Sequence, residues 1–266
     1  MFRQPLKLAI GAAVLATTGI SAMALAAPAS AFTLNADRIE IDATKDVIGS
    51  TFTTTFDGNV NNQRVAGLSS EAVWTFLGIT NTGDKTEASF EITLENTSSN
   101  GILSRTSALG FNVTDLEGNQ LDLLGVGSAG GSGNTHSTGL FANDYTGSFS
   151  NEFGPIDVCF TGSSSCEEDS NGGVDNDPNT RLAQKASFTT TLAFEGSVNK
   201  FALNNFGISY QSINGEGHVD AGGTGKFIYV QSSDKQTIPE PGTLAAVLLT
   251  GLAIFTQRRK RQPVAS

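Results

Sequence analysis

The two cysteines carry the most reactive side chains in the sequence, and they lie close together. Cys159 and Cys166 have six residues between them, and the 266 residues contain no other cysteine. In an oxidising compartment such a pair usually forms a disulfide, and closing a loop of about eight residues stabilises a fold by roughly 2.5 kcal/mol. The alternative is a catalytic thiol, which needs a base beside it. Only His136 and His218 could supply that base, and no local motif marks either one, so the sequence favours the disulfide.

The segment after Cys166 is rich in the oxygen ligands that calcium binds. Its acidic and amide side chains are Glu167, Glu168, Asp169, Asn171, Asp175, Asn176 and Asp177. An EF-hand loop that opened at Asp169 would have Gly at its sixth position and Glu at its twelfth. The sequence has Val174 and Thr180 there, so that register is absent. A solvated acidic loop is the simpler interpretation, with a structural calcium ion as the alternative, and no other metal or cofactor is indicated.

The motifs that mark common catalytic sites are missing. The chain has no Gly-x-Ser-x-Gly, His-x-x-x-His or Cys-x-x-Cys. Carboxylate pairs for glycoside hydrolysis are recognised by their separation in space, so an acidic sequence gives no evidence for one. Gly125, Gly127 and Gly130 match a dinucleotide-binding pattern, but glycine and serine continue where a helix should begin, which predicts a flexible loop. We therefore predict no catalytic residue and no enzyme activity.

The charge of the chain argues against nucleic acid as a partner. Residues 32–238 carry 10 basic and 25 acidic residues, an excess of 15 negative charges. Such a surface repels phosphate backbones.

The N-terminus has the three parts of a secretory signal peptide. Arg3 and Lys7 form a positive head, an uncharged apolar run follows from Leu8, and the run ends at the small-residue triplet Ala29-Ser30-Ala31. This order is typical of export through Sec-type machinery with cleavage after an Ala-x-Ala site, here at Ala29 and Ala31. An uncleaved membrane anchor is the alternative. Residues 1–31 are therefore predicted to be a signal helix that the mature protein lacks.

The C-terminus combines a rigid motif, an apolar segment and a basic end. Pro239-Glu240-Pro241 precedes 16 uncharged residues, which are followed by Arg258, Arg259, Lys260 and Arg261. The apolar segment contains Leu244, Val247, Leu248, Leu249, Leu252, Ile254 and Phe255. As a helix it covers about 24 Å, short of a hydrocarbon core near 30 Å. The basic residues would hold the end of the chain in the cytoplasm. This arrangement predicts a transient transmembrane sorting helix, with a plain anchor as the alternative.

These three parts, in this order at the extreme C-terminus, resemble the bacterial PEP-CTERM sorting signal. The resemblance covers residues 238–261. It implies recognition by an exosortase, a membrane-embedded transpeptidase-like enzyme, and cleavage near the Pro-Glu-Pro motif.

The body of the chain resembles a group of PEP-CTERM proteins called the cistern family. The segments that carry this resemblance are residues 95–115 (ENTSSNGILSRTSALGFNVTD), the cysteine pair and residues 204–217 (NNFGISYQSINGEG). The resemblance implies a single domain with the cysteine pair as a family feature, and it implies no activity.

Apolar residues alternate with polar ones through most of residues 32–237. The clearest alternating sets are Phe90, Ile92 and Leu94; Leu109, Phe111 and Val113; Ile156, Val158 and Phe160; Phe188, Leu192 and Phe194; and Phe206, Ile208 and Tyr210. Period-2 alternation predicts strands with one buried and one solvated face. Residues 72–79 (AVWTFLGI) are more continuously apolar, which predicts a central strand buried on both faces. We expect an all-β domain, a single antiparallel β-sandwich of roughly nine or ten strands, jelly-roll or immunoglobulin-like.

Together these patterns predict an exported protein of the cell surface or extracellular matrix with a structural or adhesive role. Extracellular polysaccharide is its candidate partner. The alternative is a secreted carbohydrate-binding module, which would stack sugars on exposed Trp74, Tyr145, Tyr210 or Tyr229. A third hypothesis, a secreted glycoside hydrolase, would require a cleft with two facing carboxylates.

Overall fold

The alternating segments of the sequence form strands in the computed structural model, which describes residues 32–35, 37–46, 48–128, 130–150, 153–166 and 172–228. These residues contain fifteen strands and no helix. The strands are β1 (Thr33–Asn35), β2 (Arg38–Asp42), β3 (Thr51–Phe56), β4 (Asn59–Val60), β5 (Gln63–Arg64), β6 (Ser70–Thr82), β7 (Lys85–Asn96), β8 (Leu103–Thr114), β9 (His136–Gly139), β10 (Asn143–Phe149), β11 (Gly154–Thr161), β12 (Val174–Asp175), β13 (Lys185–Glu195), β14 (Lys200–Gly215) and β15 (His218–Lys226). The predicted signal helix and sorting helix lie outside the described residues.

The strands pair into two antiparallel sheets. Ten strands form a sheet whose main path is β10-β11-β8-β14-β15-β4-β5, with β12 also paired to β8, β2 to β14, and β1 to β2. The other five follow the order β3-β6-β7-β13-β9. The all-β antiparallel prediction is confirmed and is consistent with a sandwich. The strand number was underestimated because strands of two to five residues are too short to show alternation.

The buried faces of the two sheets share one aromatic core. Trp74 is completely buried and contacts four phenylalanines at centroid distances of 5.3 to 6.1 Å. Phe52 and Phe90 belong to the five-stranded sheet, while Phe111 and Phe206 belong to the ten-stranded sheet. Trp74 therefore packs against both sheets at once.

The prediction for residues 72–79 was wrong. Their strand, β6, lies second from the edge of the five-stranded sheet and is buried on one face only. Ala72, Trp74 and Phe76 face the core, whereas Leu77 on the other face is 39% exposed. The continuous apolar run reflects isolated apolar residues on a solvated face, which are common on protein surfaces.

The prediction that Ile156 shares a face with Val158 and Phe160 was also wrong. Val158 and Phe160 belong to the main core, but Ile156 packs beside Cys159 on the opposite face of the ten-stranded sheet. The register explains the difference, because Cys159 lies opposite Tyr145 and Ile156 opposite Gly147. Three steps on β11 therefore match two on β10, and such a bulge reverses the faces beyond it.

The glycine-rich segment 125–139 forms no helix where it is described, so it lacks the helix that a dinucleotide-binding pattern requires. The prediction of a flexible loop was wrong for residues 136–139, which form β9. The segment is attached to the sheets rather than free. Gly133 N and Ser132 Oγ donate hydrogen bonds to the Glu87 carboxylate on β7. Thr135 N donates to Leu124 O at 2.7 Å. The bonds to Glu87 attach the segment to the central strand of the five-stranded sheet, and the bond to Leu124 O joins it to the residues just before it.

Candidate functional site

The cysteine pair forms a disulfide, in agreement with the sequence prediction. Cys159 lies on β11 and Cys166 lies in the segment after it, with Cα atoms 6.1 Å apart. Both side chains are buried. No free cysteine remains among the described residues, so the catalytic-thiol alternative has no thiol available.

The disulfide is part of a small apolar cluster on the face of the ten-stranded sheet that points away from the main core. The buried members of the cluster are Ala108, Phe149, Phe153, Ile156, Cys159 and Cys166. Phe149 and Phe153 meet edge to face at 5.3 Å. Gly207 makes room for Phe153, because a Cβ atom there would lie 2.2 Å from the ring. This second cluster was not predicted, since its members are scattered over β8, β10, β11 and the two segments that flank β11.

The acidic segment divides into a part outside the described residues and a part that fixes local structure. Glu167, Glu168, Asp169 and Asn171 lie outside the described residues. Asp175 accepts a hydrogen bond from Asp177 N, and Asp177 accepts from Asn179 N. Within the described ranges no group of three His, Cys, Asp or Glu side chains could hold a metal ion.

Asn176, one of the candidate calcium ligands, is hydrogen-bonded to the turn between β7 and β8 and to the start of β8. Its Nδ2 donates to Ser98 O at 3.0 Å and to Ile102 O at 2.8 Å, and its Oδ1 accepts from Ser104 N at 2.8 Å. All three partners belong to residues 95–115. The side-chain amide of Asn176 therefore holds the turn between β7 and β8 in place, and both its oxygen and its nitrogen are hydrogen-bonded within the protein.

Two of the four aromatic residues named as sugar platforms lie inside the protein. Trp74 and Tyr210 are completely buried, Tyr145 is half-buried, and Tyr229 lies outside the described residues. Stacking of a sugar requires an exposed ring face, so Trp74 and Tyr210 cannot serve as platforms.

A different aromatic residue does reach the surface, in a cleft of about 470 Å³. This cleft, called here the Asn205 cleft, is lined by Asp37, Asn204, Asn205, Phe206, Lys226 and Phe227. Phe227 is half-buried, and its ring lies 5.6 Å from that of Phe206. Asn205 has a φ of 47° at a register shift in β14. Bulges of this kind redirect side chains and are frequent beside binding sites.

Two carboxylates, Asp122 and Asp157, line a second cleft of about 500 Å³, the Asp157 cleft, together with apolar residues such as Leu123 and Ile156. Burial raises the pKa of Asp157, and the negative charge of Asp122 raises it further. Both oxygens of Asp157 accept hydrogen bonds, one from Val113 N at 2.8 Å and one from Gln120 Nε2 at 2.9 Å. Asp157 therefore ties β11 to β8 and to the turn after it.

The predicted sorting and cleavage residues cannot be placed with these features. Ala29, Ala31, Pro239, Glu240, Pro241, the apolar segment and Arg258 to Arg261 all lie outside the described residues. Among residues 32–228, where described, no helix has the length and apolar character that a membrane span requires. Comparison with protein-family models, curated proteins and solved structures finds no match to this chain.

Proposed function

We propose that this chain is an exported bacterial protein that exosortase processing delivers to the cell surface or its extracellular matrix, where it has a non-enzymatic structural or adhesive role. The observation that carries the proposal is the Cys159–Cys166 disulfide, taken with the signal-peptide and Pro-Glu-Pro patterns at the two ends. Disulfides persist in oxidising compartments and are rare in the cytosol. The pair joins β11 to the segment after it within an otherwise separate apolar cluster, which is a structural use of the bond.

Intact mass and fractionation of the native protein test this proposal. We expect the protein in the envelope or medium, lacking residues 1–31 and a C-terminal segment that begins near Pro239. Without reductant its mass should be two hydrogens below that of the dithiol form. Reduction followed by alkylation is the control, and it should add two alkyl groups. A cytoplasmic, full-length protein whose two thiols are alkylated without reductant would contradict the proposal.

Binding of extracellular polysaccharide is a second candidate function, and the Asn205 cleft favours it. The cleft combines a half-buried phenylalanine with the amides of Asn204 and Asn205 and the charged groups of Asp37 and Lys226. Sugar sites pair an apolar ring with a few polar groups that fix orientation. Hydrolysis is not proposed for the Asp157 cleft, because both oxygens of Asp157 are engaged with the protein.

Replacing Asn205 with glycine should weaken polysaccharide binding about tenfold, the loss expected for one or two polar contacts. Glycine tolerates the positive φ of this position, so the fold should persist. The matched control is Asn100→Gly, because Asn100 also has a positive φ (55°), is exposed and does not line the cleft. Binding to polysaccharide from the producing cell is measured by isothermal titration. Equal affinities for both variants and the parent would rule the Asn205 cleft out.

A further inference from the structure

A small polar pocket lies where the edge strand of one sheet faces the edge strand of the other. β9 ends the five-stranded sheet and β10 ends the main path of the ten-stranded sheet. The pocket between them has a volume of about 160 Å³. Residues of these strands and of the glycine-rich segment line the pocket. Among them, Ser137 supplies a hydroxyl group and Asp144 a carboxylate.

Both side chains point inward, away from solvent. Ser137 lies opposite Thr190 in the β9–β13 ladder, and Thr190 is completely buried. Asp144 lies opposite Phe160, which belongs to the core. Paired residues of an antiparallel ladder share a face, so Ser137 and Asp144 enter the space between the sheets from opposite sides. Each residue is only 5% exposed.

Neither group is satisfied by the part of the protein that the structure describes. Ser137 Oγ is buried with no hydrogen-bond partner. Asp144 accepts one hydrogen bond, from Gly127 N at 2.8 Å, and forms no ion pair within the described residues. Burial raises the pKa of this carboxyl group. A buried hydroxyl with no partner and a buried carboxylate with a single hydrogen bond are each costly, and one positively charged ligand would satisfy both.

We propose that this pocket binds a hard, oxygen-seeking cation, with Ca²⁺ as the ion that an extracellular site would meet. Zinc prefers several nitrogen or sulfur ligands, whereas the only such side chain lining the pocket is His136. One carboxylate, one or two hydroxyls and the carbonyls of a glycine-rich segment are instead the ligands of calcium. With a single carboxylate, the affinity should fall in the range of extracellular modules, about 10⁻⁴–10⁻³ M. The ion would join the edges of the two sheets. The choice of Ca²⁺ rests on the proposed export of the protein, whereas the pocket and its two buried polar groups do not.

Calcium-dependent thermal unfolding of the purified full chain tests the site. Starting from chelated protein, added CaCl₂ should raise Tm, because an ion that binds only the folded state stabilises it by mass action. Asp144→Asn keeps the size of the side chain and its ability to accept from Gly127 N but removes the charge, and it should abolish the rise. Ser137→Ala removes an unsatisfied hydroxyl without harm to the fold, and it should move the calcium midpoint about tenfold higher. Asp122→Asn, in the Asp157 cleft, is the control and should keep the full rise.

Three results would overturn the proposal. An unchanged Tm up to about ten times the expected dissociation constant would mean that the pocket holds only water. A full calcium response in Asp144→Asn would place the ion elsewhere, such as in the acidic segment after Cys166. An unchanged calcium midpoint in Ser137→Ala would exclude Ser137 as a ligand. The Ser137→Ala measurement therefore tests the proposed site even if Asp144→Asn fails to fold.

Discussion

Replacing Trp74 with alanine is expected to lower the free energy of unfolding by about 3–5 kcal/mol, as large-to-small changes of buried aromatic residues do. The indole touches four phenylalanines from both sheets, so its removal opens a cavity at the centre of the shared core. It also leaves Thr54 Oγ1 without the hydrogen bond that Trp74 Nε1 donates at 3.0 Å. Because small domains are stable by about 5–15 kcal/mol, this single change removes a large share of the total.

Urea unfolding measures the effect. Trp74 is the only tryptophan, so the transition must be followed by circular dichroism rather than by tryptophan fluorescence. Leu77→Ala is the matched control on the same strand, because its side chain faces solvent, and its effect should stay within about 0.5 kcal/mol. A sugar platform would behave in the opposite way, with weaker ligand binding and unchanged stability. Wild-type stability in Trp74→Ala would therefore contradict the burial of this residue and revive its predicted role in binding.

The fold class could be predicted from the sequence because alternation is a local property that a buried sheet face requires. Phe90, Ile92 and Leu94 all face the core as their spacing indicates. The same reasoning failed at Ile156, where one bulge reverses the faces, and a bulge depends on the neighbouring strand rather than on the residues of the strand itself. It failed at residues 72–79 because an apolar run does not show whether a second layer covers its outer face.

The candidate sites were less predictable because they depend on contacts between distant parts of the chain. The disulfide could be inferred, since its partners are seven positions apart. The bonds of Asn176 to Ser98, Ile102 and Ser104 span more than 70 positions, and its residue type suggested a metal ligand equally well. The pocket of Ser137 and Asp144 exists only because two edge strands face each other. In the sequence these residues are one serine and one aspartate among many.

The largest functional effect is expected from the sorting motif. Replacing Pro239, Glu240 and Pro241 together with alanine should leave membrane insertion intact but block processing, so that a longer, membrane-bound precursor accumulates. The two prolines fix φ and disfavour helix in the residues before them, which would keep the motif extended just outside the lipid. The apolar segment and Arg258 to Arg261 are unchanged in this variant, so the proposed signal for halting the chain in the membrane is retained.

The folded domain should not interfere with this result. The described structure ends at Ile228, whose N–H donates to Thr55 O on β3, and ten residues separate Ile228 from Pro239. Fully extended, they would span about 35 Å, enough for an enzyme to reach the motif without unfolding a strand. Deleting residues 242–261 is the matched control, because it keeps the motif but removes the halt, and it should release the protein without retention. Immunoblots of membrane and soluble fractions distinguish the two variants. If the triple-alanine variant matures and localises like the parent, the Pro-Glu-Pro motif has no role in sorting and the tail is only an anchor.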